Sequence, residues 1–264
     1  MKIIVLIKQV PEIKNAKIDP ESGTIIRSKG QSIINPLDLY ALETALMLKD
    51  NLGATVQAIS MGPKRAESVL REALALGADS AALISDRVFA GSDTWATSLI
   101  LSKTVSKINY DLIICGERAI DGDTGQVGPG VASFLNIPVV SFVKKINFNV
   151  EDGIEVEREV EDGSDIIQVS LPAVITVVKD IASPRMPTLR GKKLARNAKI
   201  DTLNHIELGL KPDQIGIEGS PTKIVKTYQP EINRKKQIFN IKEKGLDNSV
   251  EHLAEQLNQG LTKC

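Results

Sequence analysis

Asp111-Leu-Ile-Ile-Cys115, then Gly116-Glu-Arg-Ala-Ile-Asp-Gly-Asp-Thr-Gly-Gln-Val-Gly-Pro-Gly130, then Val131-Ala-Ser-Phe-Leu135 run on without interruption. The first piece is short, apolar and β-branched, as a buried strand is, and the last keeps a helical spacing, so the middle is a strand-to-helix turn. Gly122, Gly125, Gly128 and Gly130 allow positive φ and close approach of a ligand, and Thr124 is placed to cap a helix beginning near Gly125. Amides exposed at such a helix start suit a phosphate or pyrophosphate. The run matches neither G-x-G-x-x-G nor G-x-x-x-x-G-K-[ST], so neither an NAD fingerprint nor a Walker loop is present. A tight loop in which Asp121 and Asp123 serve only Asx turns explains the same residues equally well.

The flanking chain supplies the context. Lys2–Lys8, Ala54–Ser60, Ala81–Ile84 and Leu112–Cys115 read as strands alternating with helices that carry Leu39, Leu42, Leu46, then Val69, Leu70, Ala73, then Leu99, Ile100, Val105, with Asp93 as the cap of the third. This alternation specifies a doubly wound α/β fold with a mainly parallel sheet, whose ligands bind beyond the carboxyl ends of the strands. Lys8-Gln9-Val10, Met61-Gly62-Pro63 and the 116–130 loop leave those ends together. Asn35 precedes Pro36 at a helix start, either as its cap or at the mouth of a nucleotide site. Residues 16–27 alternate around a Pro/Gly turn as an exposed hairpin. Val139–Lys145, Ile154–Val160, Ile166–Leu171 and Ala173–Val178 are expected as antiparallel strands extending the sheet.

Residues 183–196 hold two prolines, a glycine and five basic side chains, and read as a protruding loop leading to a short helix; a solvated basic connection is the plainer reading. A nucleotide-binding domain is therefore expected over 1–203, and a C-terminal extension over 204–264. Within the extension, Ile224-Val225 and 238–241 are strand-like, Asn248-Ser-Val-Glu251 resembles a capping box, and Val250, Leu253, Ala254 and Leu257 form an apolar stripe that must be covered.

Thirty-three basic and thirty-three acidic residues balance, and aromatics at 3% leave no base-stacking surface, so nucleic acid is not an expected partner. The apolar start, residues 3–7, is too short to span a membrane or form a signal core, which points to the cytoplasm. Two cysteines, Cys115 and Cys264, and two histidines, His205 and His252, assemble no disulfide, metal site or triad.

Val5-Leu-Ile-Lys-Gln-Val10, Ile34-Asn-Pro-Leu-Asp38, Ser60-Met-Gly-Pro63, Arg71-Glu-Ala-Leu-Ala-Leu-Gly-Ala-Asp79, Ala119-Ile-Asp-Gly-Asp-Thr-Gly-Gln126, Leu171-Pro-Ala-Val174 and Pro184-Arg185 with Thr188-Leu189 together resemble the electron transfer flavoprotein β subunit, in order and spacing across nearly the whole chain. The resemblance implies a heterodimer with an α subunit that carries its own FAD, against which the C-terminal helix packs. It implies nucleotide contacts from Leu6 and Lys8, from Asn35, Pro36, Leu37 and Asp38, from Met61, and from Asp121, Gly122, Asp123, Thr124, Gly125, Gln126, Val127, Gly128, Pro129, Gly130, Val131 and Ala132. Many members read Asp-Asp-Asp and Asn-Gln in that loop and hold AMP. Gly122 and Gly125 make this chain similar instead to the subgroup that binds FAD and bifurcates electrons from NADH to ferredoxin and, through the α-subunit FAD, to a flavin dehydrogenase, or runs the reverse. No complete active site lies on the chain alone. The 183–196 loop resembles the recognition loop for an acyl-CoA or 2-hydroxy-acid (lactate-type) dehydrogenase, with Arg185, Thr188, Leu189 and Arg190 as contacts. A non-bifurcating carrier with structural AMP, or more distantly a nucleotide sensor or adenylate-transferring enzyme, are the alternatives.

Overall fold

The computed structural model describes residues 1–12, 17–18, 25–26, 32–148, 153–225 and 245–261. It has two compact units, Met1–Lys226 and Thr227–Cys264. In the first, β1 (Lys2–Leu6), β2 (Gln9–Pro11), β3 (Lys17–Ile18), β4 (Ile25–Ile26), β5 (Ser32–Ile34), α1 (Pro36–Leu52), β6 (Thr55–Met61), α2 (Glu67–Leu76) and β7 (Ser80–Ile84) are followed by α3 (Thr94–Val105), β8 (Leu112–Gly116), α4 (Val127–Leu135), β9 (Val139–Asn147), β10 (Ile154–Val160), β11 (Gly163–Val169), β12 (Ala173–Val177), α5 (Leu189–Asn197), β13 (Asp201–Leu203) and α6 (His205–Leu208).

One nine-stranded sheet runs β11-β10-β9-β12-β8-β1-β6-β7-β13. From the central β1 the chain winds outward through β6 and β7, then crosses to pair β8 with the opposite edge of β1, both in parallel. The reversal opens a crevice between the carboxyl ends of β1 and β8, the switch point at which doubly wound sheets take ligands. Both strands are apolar almost without break because each is covered on two faces. Ile3, Val5, Leu112 and Ile114 pack under α1 and α2 with Leu42, Leu46, Val69 and Leu70. Their neighbours Ile4, Leu6, Ile113 and Cys115 pack under α3 and α4 with Ile100, Val105 and Val131.

Two expectations change. In this sheet β10 alone runs against its neighbours, pairing antiparallel with both β9 and β11; β9 and β12 pair in parallel, with β12 between β9 and β8. The cause is legible afterwards: Ala173–Val177 is an unbroken, fully buried apolar run, the mark of a central strand, and α4 gives β8-to-β9 its crossover. The first unit also runs past 203 to Lys226. Leu208, Leu210 and Ile215 are buried in the α3/α4-side core, and Thr222 donates through its amide and hydroxyl to Asp93. Three buried side chains spaced among Pro, Gly and charged residues leave no periodic signature in sequence.

Of the exposed hairpin expected over 16–27, the described residues are β3 and β4, which pair antiparallel; the rest lies outside the described residues. Ile224-Val225 is not a strand, and 238–241 lies outside the described residues. In the second unit, α7 (Leu246–Leu261) starts before the proposed capping box, so Asn248 lies within it. Val250, Leu253 and Leu257 of its stripe are exposed. Among the described residues no helix is long and apolar enough to cross a membrane.

Candidate functional site

Two buried residues at the start of α1 build the crevice. Asp38 accepts the Lys8 amide at 2.8 Å and the Gly116 amide at 3.2 Å, and so joins the ends of β1 and β8 across the switch point. Asn35, fully buried, donates from Nδ2 to the Arg118 carbonyl at 2.9 Å and accepts the Ile120 amide at 3.2 Å. Its side chain does not cap α1; it holds the loop that follows β8. Asn35→Ala removes both hydrogen bonds to the loop, each a net contribution of about 0.5–1.5 kcal/mol, so we expect a lower unfolding midpoint with a loosened loop and faster exchange of the Ile120 amide.

Within the loop, Gly122 and Asp123 both donate to the Ala119 carbonyl. Lys8 pairs with Asp121 at 2.7 Å, and Arg118 with Asp123 at 3.0 Å; such solvent-exposed pairs order the surface more than they stabilise it. The four glycines, expected as a group to allow positive φ and ligand approach, differ in what they do. Gly125 alone has positive φ, +63°. Gly128 and Gly130 are packing glycines of α4: a Cβ on Gly128 would meet Thr176 Cγ2 at 2.6 Å and Cys115 Sγ at 2.9 Å, and one on Gly130 would meet Ser98 of α3. Gly122 has ordinary φ and open space where a Cβ would stand. Neither backbone strain nor packing requires a glycine at 122, and the position faces the cavity.

That cavity is about 330 Å³. Leu6 at the end of β1, Lys8 just beyond it, Asp38, Met61 from the end of β6, and Gly122, Asp123, Thr124, Gly125, Gln126, Val127 and Gly128 line it. The other expected contacts are not among the residues that line it: Asn35 holds the loop, Pro36 and Leu37 begin α1, Asp121 pairs with Lys8, and Pro129, Gly130, Val131 and Ala132 lie along α4, the last two buried in the core. Sequence reading missed the opposite wall, Ser92, Asp93, Thr94 and Thr97. Asp93 was legible as a helix cap, and it does accept the Ala96 amide at 3.0 Å; that its helix start converges on the same crevice required the topology. Thr124 does not cap α4. Gln126 is the cap residue and makes no capping bond, because its side chain accepts from Thr94 Oγ1 at 2.8 Å, tying the two helix starts together.

The electrostatics favour binding over side-chain chemistry. Burial pushes the Asp38 carboxyl up to about 7, against the hydrogen bonds and the nearby Lys8 that favour its charge. Burial, with Asp38 adding to it, raises the Cys115 thiol far above the range in which it ionises, so it is no nucleophile. Among the described residues no group of side chains can hold a metal ion. Two helix starts, an uncapped α4 first turn and a vacant Cβ position at Gly122 fit a phosphorylated ligand such as an adenine nucleotide.

On the far side of α1, Leu189 is 87% exposed and Met186 is 86% exposed. Thr188 caps α5 by accepting the Gly191 amide at 2.9 Å, and Arg190 is exposed on its first turn. The Arg185 guanidinium is engaged by Glu43 and Asp50 of α1.

The electron transfer flavoprotein domain family matches residues 22–208. The chain is 47% identical over 261 residues to the electron transfer flavoprotein subunit beta of Thermoanaerobacterium thermosaccharolyticum, covering 98% of each chain. It is 45% identical to the caffeyl-CoA reductase-Etf complex subunit CarD of Acetobacterium woodii, over 87% of this chain and 88% of that one. It is 44% identical to the acryloyl-CoA reductase electron transfer subunit gamma of Anaerotignum propionicum, over 87% and 89%. With its sheet, its switch-point crevice and these relatives in agreement, the chain belongs to the electron transfer flavoprotein β-subunit family.

Proposed function

We propose that this chain is the β subunit of an electron-bifurcating electron transfer flavoprotein and that its crevice holds FAD. The observation that carries the reading is Gly122: a residue without a side chain where the fold itself needs none, on the cavity wall, beside the positive φ of Gly125. The first turns of α3 and α4, with Thr94, Thr124 and Gly125, would hold the pyrophosphate. Leu6 and Met61 supply apolar wall, Lys8 supplies positive charge near the phosphates, and Asp38 fixes the strand ends beneath them. When bound there, FAD supplies hydride acceptance from NADH and division of the two electrons between ferredoxin and the α-subunit FAD. The chain's own part is to bind and orient. A protonated Cys115 and the lack of a metal-ligand group among the described residues add no competing chemistry.

The names of the caffeyl-CoA and acryloyl-CoA reductase relatives support an acyl-CoA-type flavin dehydrogenase as the downstream acceptor, ahead of a 2-hydroxy-acid one. Leu189 is the apolar contact for it, and the exposed stripe of α7 is covered by the α subunit. Leu189→Ala should weaken dehydrogenase docking by about 1–3 kcal/mol, the cost of a hot-spot truncation, with nucleotide content unchanged; calorimetric titration with the partner reads it. For the reaction, NADH oxidation by the αβ complex is followed with ferredoxin and dehydrogenase substrate added singly and together. Coupled turnover requires both acceptors. NADH-driven acceptor reduction indifferent to ferredoxin would replace bifurcation with a simple carrier holding AMP.

A further inference from the structure

Glu43 lies in the middle of α1, and its side chain is only 8% exposed. A carboxylate is almost never buried to that degree without a partner, and here the partner is a single residue of the 183–196 segment. The Arg185 amide donates to Oε2 at 3.0 Å, Nε to Oε2 at 2.9 Å and Nη2 to Oε1 at 2.9 Å. Asp50, two turns further along α1, takes a further bond from Nη2 at 2.8 Å. A surface ion pair would use the guanidinium alone; this carboxylate also fixes the backbone at 185.

Three residues later the chain is fixed again. Thr188 caps α5, and α5 is seated on α2, where Arg71 donates to the carbonyls of Ala195 at 2.7 Å and Arg196 at 3.0 Å. Between and beside these two fixed points stand Met186 and Leu189, the most exposed large apolar side chains of the segment. Displaying them on a pre-ordered bridge removes ordering cost from any association that buries them.

Resting on the docking role given to Leu189 above, we infer that Glu43 is a positioning residue for partner binding: through Arg185 it holds the 183–188 backbone so that Met186 and Leu189 are presented to the flavin dehydrogenase. Glu43 touches neither the cavity nor the partner in this account. Its effect is transmitted by Arg185, which is therefore an internal strut and not a contact residue.

The test uses the assembled αβ complex and two purified probes, an acyl-CoA and a 2-hydroxy-acid flavin dehydrogenase, keeping the one that the wild type reduces faster. Glu43→Gln should raise KM for that dehydrogenase by about tenfold, the size expected when pre-ordering is lost and contacts are kept, with kcat and nucleotide content unchanged. Arg185→Lys keeps the charge and loses the fork, and should do the same if Glu43→Gln folds poorly. The double variant should be no worse than either single one. Hydrogen exchange at 183–188 should quicken in each. Additive effects in the double variant would make Arg185 a direct contact and overturn the inference, as would an unchanged KM in both single variants while Leu189→Ala raises it. If Leu189→Ala leaves KM unchanged, the docking role itself fails and this inference falls with it.

Discussion

Gly122→Val is expected to lower the affinity of the crevice for its nucleotide by about a hundredfold, through steric overlap alone, in a protein that unfolds at the wild-type midpoint. The φ at 122 is ordinary and nothing stands within 4 Å of the added Cβ, so no stability cost accompanies the substitution. Gly125→Val makes the complementary case. At φ +63° a branched residue costs about 1–2 kcal/mol of backbone strain, and its Cβ would also press on the Glu117 carbonyl at 3.3 Å. That variant should lose stability and nucleotide together. Isothermal titration and thermal melting of both separate the two roles; Gly122→Val with full nucleotide affinity would remove Gly122 from the binding wall.

Asp38 gives the second large effect. Its carboxyl ionises near 7 in the folded chain because burial outweighs the two amides and Lys8. In the unfolded chain it ionises at about 3.9. Between those values the folded state binds the extra proton, so stability is highest below about pH 4, falls as pH rises to about 7, and is flat beyond, a change on the order of 4 kcal/mol from this group. Asp38→Asn cannot ionise and should lack that slope, although its NH2 group, a donor, can replace only one of the two oxygens that accept the Lys8 and Gly116 amides. Melting temperatures of the two forms between about pH 4 and pH 8 check this: the wild-type curve descends relative to the variant through the window. Parallel curves would mean that the Asp38 carboxylate is charged throughout.

α1 ties both sites into one piece of secondary structure. Asn35 and Asp38 at its start hold the 116–126 loop, and Glu43 and Asp50 further along hold Arg185. A single 17-residue helix thus sets the crevice and the exposed 186–189 segment from one frame.

The parallel core was legible in sequence because β1, β6, β7 and β8 are short apolar runs separated by periodic helices, and each half of that pattern has one physical cause, burial on two faces. The loop after β8 was legible through its glycines. What each glycine does was not: Gly128 and Gly130 read like ligand-approach residues, yet their missing side chains admit Thr176, Cys115 and Ser98, side chains of neighbouring strands and of α3. Asn35 shows the same limit. Its residue type and its place before Pro36 describe a helix cap, and only the fold brings Arg118 and Ile120 within reach of its amide. Arg185 looked like one more charge on a basic loop because Glu43 lies 142 residues away. The packing of 204–225 was hidden for the opposite reason, its few apolar side chains being spread through turns.

The central claim is that the β-subunit crevice holds FAD, and the most direct measurement is the nucleotide content of the purified αβ complex after denaturation and chromatography of the released cofactors. The account requires two FAD per αβ pair and no AMP, with Gly122→Val reducing the yield to one FAD. One FAD and one AMP per pair in the wild type would contradict it.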